Sequence, residues 1–491
     1  MKISRFNLFR WIAIILIVIA AILLVSQLIR FSRIRAGFPP GTSIGGVAVG
    51  GLNQQQAADR ITQAFNNPIE LVYNDQLIQV RPSQLGFDIQ TEVMIAAADQ
   101  QRVKLPFWSS FWDYLWNRMA AAHDTPLSAD IAQDRIRLYL MNEIATRYDE
   151  APLSSQPVPG TNNFLMGQSG VVLNIDKSIT VIEQALQSPY NRSAVLIIDE
   201  VQPPRPSLEN LEILIKQIID KSKFDGLTEM YVLDLENRNE INFVYENGVD
   251  YDPGIAYTAA STIKIPIMVS TFKRIGEPTP QAASDLMTQM IEKSENPPAD
   301  QLMETFLDPN LGPIFITQDM QEIGLKNTFL GGQFYLGAPL LQRYQTPANQ
   351  RLDYNTDPDV YNQTTPSDMG MLLDDIYQCA QTGGGTFSAV FQGEISQAEC
   401  QLMITFLTKN DIAVLLQAGL PDGTKIAHKH GWIVENDGVI HSMLDAGIIF
   451  SPGNNYVAVI AMYQPTQLIF DVANYLSAQI SAAIFNYFNF S

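Results

Sequence analysis

Cysteine is nearly absent from this 491-residue chain, which holds only Cys379 and Cys400. Two thiols exclude a disulfide-scaffolded fold; outside the cytoplasm they could pair, and otherwise they would be two buried thiols. Histidine is scarce too, with four residues. His428 and His430 alternate along one expected strand toward the same face, but no Cys or third His joins them at ligand spacing, so no metal and no cofactor is expected. Basic charge is in deficit: 31 Lys and Arg face 51 Asp and Glu. A body of that sign repels nucleic acid, which is excluded as a partner.

Charge of either sign is missing from Trp11 to Ile29, a run long enough to cross a bilayer as a helix. Small residues of a cleavage site do not follow it, so an uncleaved membrane anchor is expected over residues 1–35. Lys2, Arg5 and Arg10 precede the run and Arg30, Arg33 and Arg35 follow it, so flanking charge does not choose the orientation.

Beyond the anchor, Gly41 to Leu52 reads as a glycine-punctuated strand, and Asn53 with Gln56 opens a helix whose apolar face is Ala57, Ile61, Ala64 and Phe65. A second pass of this kind, Gly167–Gly170 through Asn174–Asp176 and a helix from Ile179 to Leu186, suggests a degenerate repeat. Between them Trp108, Trp112 and Trp116 recur every fourth residue. That stripe could rest on sugar rings or at a bilayer interface, but is expected to pack on its own domain. Pro203, Pro204 and Pro206 then mark a linker over 203–207 between a region 36–202 of small α+β units and a domain 208–491.

In that domain a helix from Leu208 leads to two strands, Met230 to Asp234 and Ile241 to Tyr245. Helices then run to about Leu416. Strands Lys425 to Ile433, Val439 to Phe450 and Tyr456 to Tyr463 and a last helix from Phe470 close the chain. The order implies an α/β (α+β) domain: one antiparallel sheet built from both ends of the segment, flanked by helices, with an all-helical lobe inserted.

Three strings carry chemistry: Ser261-Thr-Ile-Lys264, Ser294-Glu-Asn296 and Lys429-His-Gly431. A serine hydroxyl is a weak nucleophile at neutral pH, and a lysine one helical turn away can activate it if its pKa is lowered. Ser270-Thr-Phe-Lys273 has the same pattern. Pro266 separates the two, because proline is tolerated only in a helix's first turn, which puts the helix start near Ser261 and Ser270 well inside, on its surface or in its packing. Ser294 could relay a proton, and the Asn296 amide could orient lysine and substrate. Lys429 could hold a carboxylate, and Gly431 would let a substrate backbone approach closely. Two neighbouring lysines also depress each other's pKa.

With these motifs, Thr364-Thr-Pro-Ser-Asp-Met369 opening a helix and Leu420-Pro-Asp-Gly-Thr424 leading into the Lys429 strand, residues 225–491 resemble the catalytic domain of class A β-lactamases and their penicillin-binding relatives. The resemblance implies that Ser261 is acylated, Lys264 acts as base, Ser294 shuttles protons, Asn296 contacts the substrate amide and Lys429 binds its carboxylate. It makes the backbone N–H groups of Ser261 and Trp432 the oxyanion hole. Two departures stand out. Class A β-lactamases carry a deacylating glutamate in the loop before the Thr-Thr-Pro helix, whereas Leu325 to Leu352 holds no Asp or Glu, and Asp353, Asp357 and Asp359 come later. The third motif has His430 where the family prefers Thr or Ser; imidazole can donate to a carboxylate or simply fill the strand. Gly41–Leu52 with Leu85-Gly-Phe-Asp88 loosely resembles a small domain of peptidoglycan-binding type found behind a membrane anchor in bacterial envelope proteins.

These readings imply an extracytoplasmic, membrane-anchored serine hydrolase acting on β-lactams. A D,D-carboxypeptidase or transpeptidase on peptidoglycan stem peptides is the alternative, and a non-catalytic wall-binding protein of the same fold the third.

Overall fold

The computed structural model describes residues 5–104, 106–118 and 122–490, with side chains from residue 9 onward; Lys2, counted in the basic flank, lies outside them. The chain divides into two compact units, Met1–Leu153 with Gln168–Pro203, and Ser154–Gly167 with Pro204–Ser491.

In the first unit, helix α1 (Arg5–Arg35) contains a segment, Phe9–Arg35, long and apolar enough to cross a membrane. Asn53 and Gln56 form the expected capping box: Asn53 Oδ1 accepts the Gln56 N–H at 2.9 Å and Gln56 Oε1 the Asn53 N–H at 3.2 Å. Ile69–Tyr73 lies between Gln76–Val80 and Ser193–Val195, pairing parallel with the latter. The stretch read as a second pass pairs its strand Gly170–Leu173 with Ile198–Val201 in a separate sheet, and its helix Ile175–Gln187 buries Ile179 and Ile182 in the same core as Ile61 and Phe65. Helix α2 (Phe107–Leu115) departs from expectation. Its packed face is Phe107, Phe111 and Tyr114 around Phe31 of α1, and the three tryptophans are 60–70% exposed. The short helix is aromatic on two faces, and contact with Phe31 decides which is buried.

The second unit is built on a six-stranded antiparallel sheet. Its strands are β1 (Leu227–Asp234), β2 (Glu240–Glu246), β3 (Val249–Tyr251), β4 (Lys425–Val434), β5 (Ile440–Phe450) and β6 (Tyr456–Tyr463), ordered β3-β2-β1-β6-β5-β4. Full burial of β6 explains its continuous apolar run, and β1, equally buried, takes in Thr228, Glu229 and Asp234 as well. One face packs on α3 (Leu208–Ser222) and α6 (Phe470–Phe488). The other carries the helical lobe, with α4 (Lys264–Ile275) and α5 (Pro366–Thr382) at its centre. The hairpin Gln156–Pro157 and Phe164–Leu165 belongs to this unit, where Phe164 meets Tyr487 and Phe490. It precedes the proline-rich linker, so composition alone assigns it to the other side. Cys379 of α5 and Cys400 are joined in a disulfide across the lobe.

Candidate active site

The first motif sits where Pro266 predicts. A 3-10 turn, Ala260–Ile263, runs into α4 with Pro266 in its first turn. Ala260 has φ 48°, a left-handed conformation that costs a non-glycine residue free energy and turns the chain so that Ser261 emerges half-buried at the helix start. Lys264 follows one turn later, fully buried, with its Nζ 3.1 Å from Ser261 Oγ.

Ser294 also has a left-handed backbone, φ 61°. That twist turns its carbonyl and hydroxyl the same way: Lys264 Nζ donates to Ser294 O at 2.7 Å and lies 3.4 Å from its Oγ. Asn296 Oδ1 accepts from Lys264 at 2.8 Å. On the edge strand β4, Lys429 Nζ donates to Ser294 Oγ at 2.9 Å. Ser261, Lys264, Ser294, Asn296 and Lys429, spread over 169 positions, are thus joined by one hydrogen-bonded chain.

Burial, reinforced by the charge of Lys429 and opposed by Asp300 and Glu295, lowers the Lys264 pKa to about 7. Burial lowers Lys429 to about 8 against the attraction of Asp445. The competing motif lacks this. Burial also acts on Lys273, but Asp319 and Glu322, both 3.0 Å away, outweigh it and raise its pKa. Ser270 Oγ is buried in α4 without a partner, so of the two expected places for it the structure selects packing, not surface.

A Cβ on Gly431 would lie 2.7 Å from Ser261 N and 2.9 Å from Thr262 N. The bare residue therefore makes room for the chain's own serine turn. His430 lies on the opposite face of β4 from Lys429, with Ile426 and His428, where its ring stacks on Trp432 at 4.7 Å and Nε2 is buried without a partner. Burial, with Lys429 nearby, lowers its pKa to about 3, so it is neutral. Trp432 packs on Phe470 of α6.

The long loop before α5 brings no carboxylate to Lys264. Asp353 is exposed and bound by Arg351, and Asp359 accepts from the Tyr361 N–H and the Asn362 amide. The loop instead presents Phe334, whose ring centroid is 5.8 Å from Lys264 Nζ. Asp300 holds it there, its Oδ1 accepting the Phe334 N–H at 2.8 Å. Motif reading passed over both residues. Asp300 was within reach of helical spacing, four residues after Asn296 on a helix that Pro297 starts. Phe334 depends on a loop path that has no local signal. Among the described residues no cluster suited to a metal ion occurs.

The sequence model of the Beta-lactamase enzyme family matches residues 278–488. That span includes Ser294, Asn296 and the Lys429 strand; Ser261 and Lys264 precede it. Among solved structures, a PBP-A variant described as an acyl-enzyme complex with penicillin G is 23% identical, covering 58% of this chain and 99% of its own, with a TM-score of 0.41. The TLA-1 extended-spectrum β-lactamase is 18% identical over 56% of this chain and 97% of its own, TM-score 0.40. A β-lactamase from Chitinophaga pinensis is 13% identical over 56% and 98%, TM-score 0.42. The search of curated proteins finds no match.

Proposed function

Starting from a C-terminal domain of the β-lactamase and penicillin-binding serine hydrolase kind, we propose that this protein is a membrane-anchored, extracytoplasmic enzyme that forms an acyl-enzyme on Ser261 with β-lactams or the peptide stems of peptidoglycan. The observation that carries this is how the Lys264 amine is bound. Neutral, it has two N–H donors and one lone pair; Ser294 O and Asn296 Oδ1, at 2.7 and 2.8 Å, take the donors, and the lone pair is left for the Ser261 hydroxyl at 3.1 Å.

In the proposed reaction Lys264 takes the Ser261 proton as Oγ attacks the substrate carbonyl. The backbone N–H groups of Ser261 and Trp432 receive the oxyanion. Ser294, hydrogen-bonded to Lys429 and near Lys264, passes a proton to the leaving nitrogen. Lys429 keeps enough charge near neutrality to attract the substrate carboxylate. His430, neutral and turned to the other face, fills the strand, and α1 serves as the anchor.

Phe334 in the loop, where a deacylating carboxylate would serve, favours slow release of the acyl group. Acyl transfer of the penicillin-binding kind is therefore preferred over fast β-lactam hydrolysis. The whole chain in detergent is treated with a fluorescent penicillin beside Ser261→Ala and Ser270→Ala. The reading expects labelling that persists, is abolished by Ser261→Ala and survives Ser270→Ala. Labelling that clears within the mixing time returns the β-lactamase reading, and labelling indifferent to Ser261 removes the assignment. A sacculus pull-down tests whether residues 36–202 bind peptidoglycan.

A further inference from the structure

The first unit carries an aromatic face that stays exposed among the described residues. Phe31 of α1 is buried among Phe107, Phe111 and Tyr114 of α2, with ring centroids 5.3–5.4 Å away. The indoles of Trp108, Trp112 and Trp116 remain 65%, 60% and 70% exposed. Three exposed tryptophans, two on this short helix and Trp116 as its C-terminal cap, form a patch that soluble surfaces rarely carry without a partner.

The direction of α2 argues for what the partner is. The Arg35 guanidinium lies 5.2 Å over the Phe107 ring at the start of α2, and the Tyr114 hydroxyl donates to Gln27 Oε1 at 3.0 Å near its end. Helix α2 therefore runs antiparallel to α1 along its last two turns, about 12 Å at 1.5 Å per residue. Its C-terminal end, with Trp112 and Trp116, reaches the level of Gln27, inside the uncharged run that ends at Ile29. If α1 crosses the membrane, that level is the bilayer surface, where indole rings preferentially rest. The charges nearby agree. Arg30 and Arg33 are exposed on α1, and Arg35, Arg102 and Arg118 line a cavity beside Phe31 and Tyr114, with Asp113 the acidic residue among its walls and Asp99 paired to Arg102. A mainly cationic collar from that level to the end of α1 suits lipid phosphates.

We infer that the face of α2 formed by Trp108, Trp112 and Trp116 lies in the headgroup layer of the membrane crossed by α1, as a second, interfacial contact of this unit with the lipid. The inference rests on the proposed anchor and adds to it a residue-level depth.

The test uses the full chain in vesicles of phosphatidylcholine and phosphatidylglycerol, some carrying a spin label just below the headgroup. Wild type is compared with Trp108→Ser/Trp112→Ser/Trp116→Ser, and Trp112→Phe gives a milder comparison; the three indoles lie outside the packed face. Trp11 and Trp432 are common to wild type and triple variant and cancel. Wild type is expected to show a blue-shifted emission component that the label quenches and that the triple variant loses. Flotation after urea washing reads the anchor separately. Chains that float with identical quenching in wild type and triple variant overturn the interfacial contact and leave the anchor standing, whereas chains that do not float overturn both. Emission unmoved by vesicles but shifted by peptidoglycan fragments makes the face a glycan platform and overturns the inference.

Discussion

Gly431 lies directly against Ser261: a Cβ at residue 431 would stand 2.7 Å from the Ser261 backbone nitrogen. Atoms do not approach that closely without displacement, and Ala259 O and Thr262 N, at 2.8 and 2.9 Å, close the other ways out. Gly431→Ala should push the serine turn off β4, misaligning Ser261 with Lys264. The expected outcome is loss of acylation by a fluorescent penicillin with a stability cost of about 1–3 kcal/mol, typical of overpacking, read by thermal melting beside the labelling rate.

Acylation should follow a narrow bell against pH. As pH rises through about 7, Lys264 loses its proton and becomes able to take one from Ser261, so the rate rises. As pH passes about 8, Lys429 loses the charge that attracts the substrate carboxylate, and the rate falls. Lys429→Ala removes the repulsion that helps depress Lys264. Its residual acylation should therefore show the rising limb displaced to higher pH. Pre-steady-state labelling across the pH range measures both, and an unmoved limb would remove Lys429 from the cause of the Lys264 shift.

Asp300→Asn separates two roles of one carboxylate. The amide oxygen can still accept the Phe334 N–H and keep the loop, but the negative charge that favours protonated Lys264 is gone. The rising limb of the acylation profile should move to lower pH while the overall fold is retained. A lost fold, read by circular dichroism, would show that the charge at 300 is structural.

Cys379 and Cys400 are bridged 21 residues apart on two helices of the lobe. Opening a loop of that length costs about 3 kcal/mol in the chain-entropy estimate. The double variant Cys379→Ser/Cys400→Ser should melt earlier by a corresponding amount and, well below its melting temperature, acylate at the wild-type rate. Reduction of the native protein should reproduce the shift in melting.

Much of the second unit was legible because its signals are local. Apolar runs bounded by Asn436-Asp-Gly438 and Ser451–Asn455 placed β4, β5 and β6 to within a residue or two, and Pro266 fixed the start of α4. Motif spacing brought five residues to the site. Less legible were features whose cause lies far away in the chain. Phe164 joins the second unit because Tyr487 and Phe490 receive it, and Ser193–Val195 completes a sheet begun at Ile69.

By itself, the sequence determined the helix start near Ser261, the strands that close the chain, the membrane-length run and the lack of an acid between Leu325 and Leu352. Each follows from backbone chemistry or composition within a few residues. Only the tertiary structure decided that Lys264 is the lysine with a lowered pKa and Lys273 is not, since both fit one pattern and differ in distant neighbours: Lys429 near one, Asp319 and Glu322 beside the other. It decided likewise that Phe334 faces Lys264, that Gly431 yields its space to Ser261, and that the tryptophans of α2 stay uncovered. Burial and charge act through space, and the partners that set them are separated along the chain by tens to hundreds of residues.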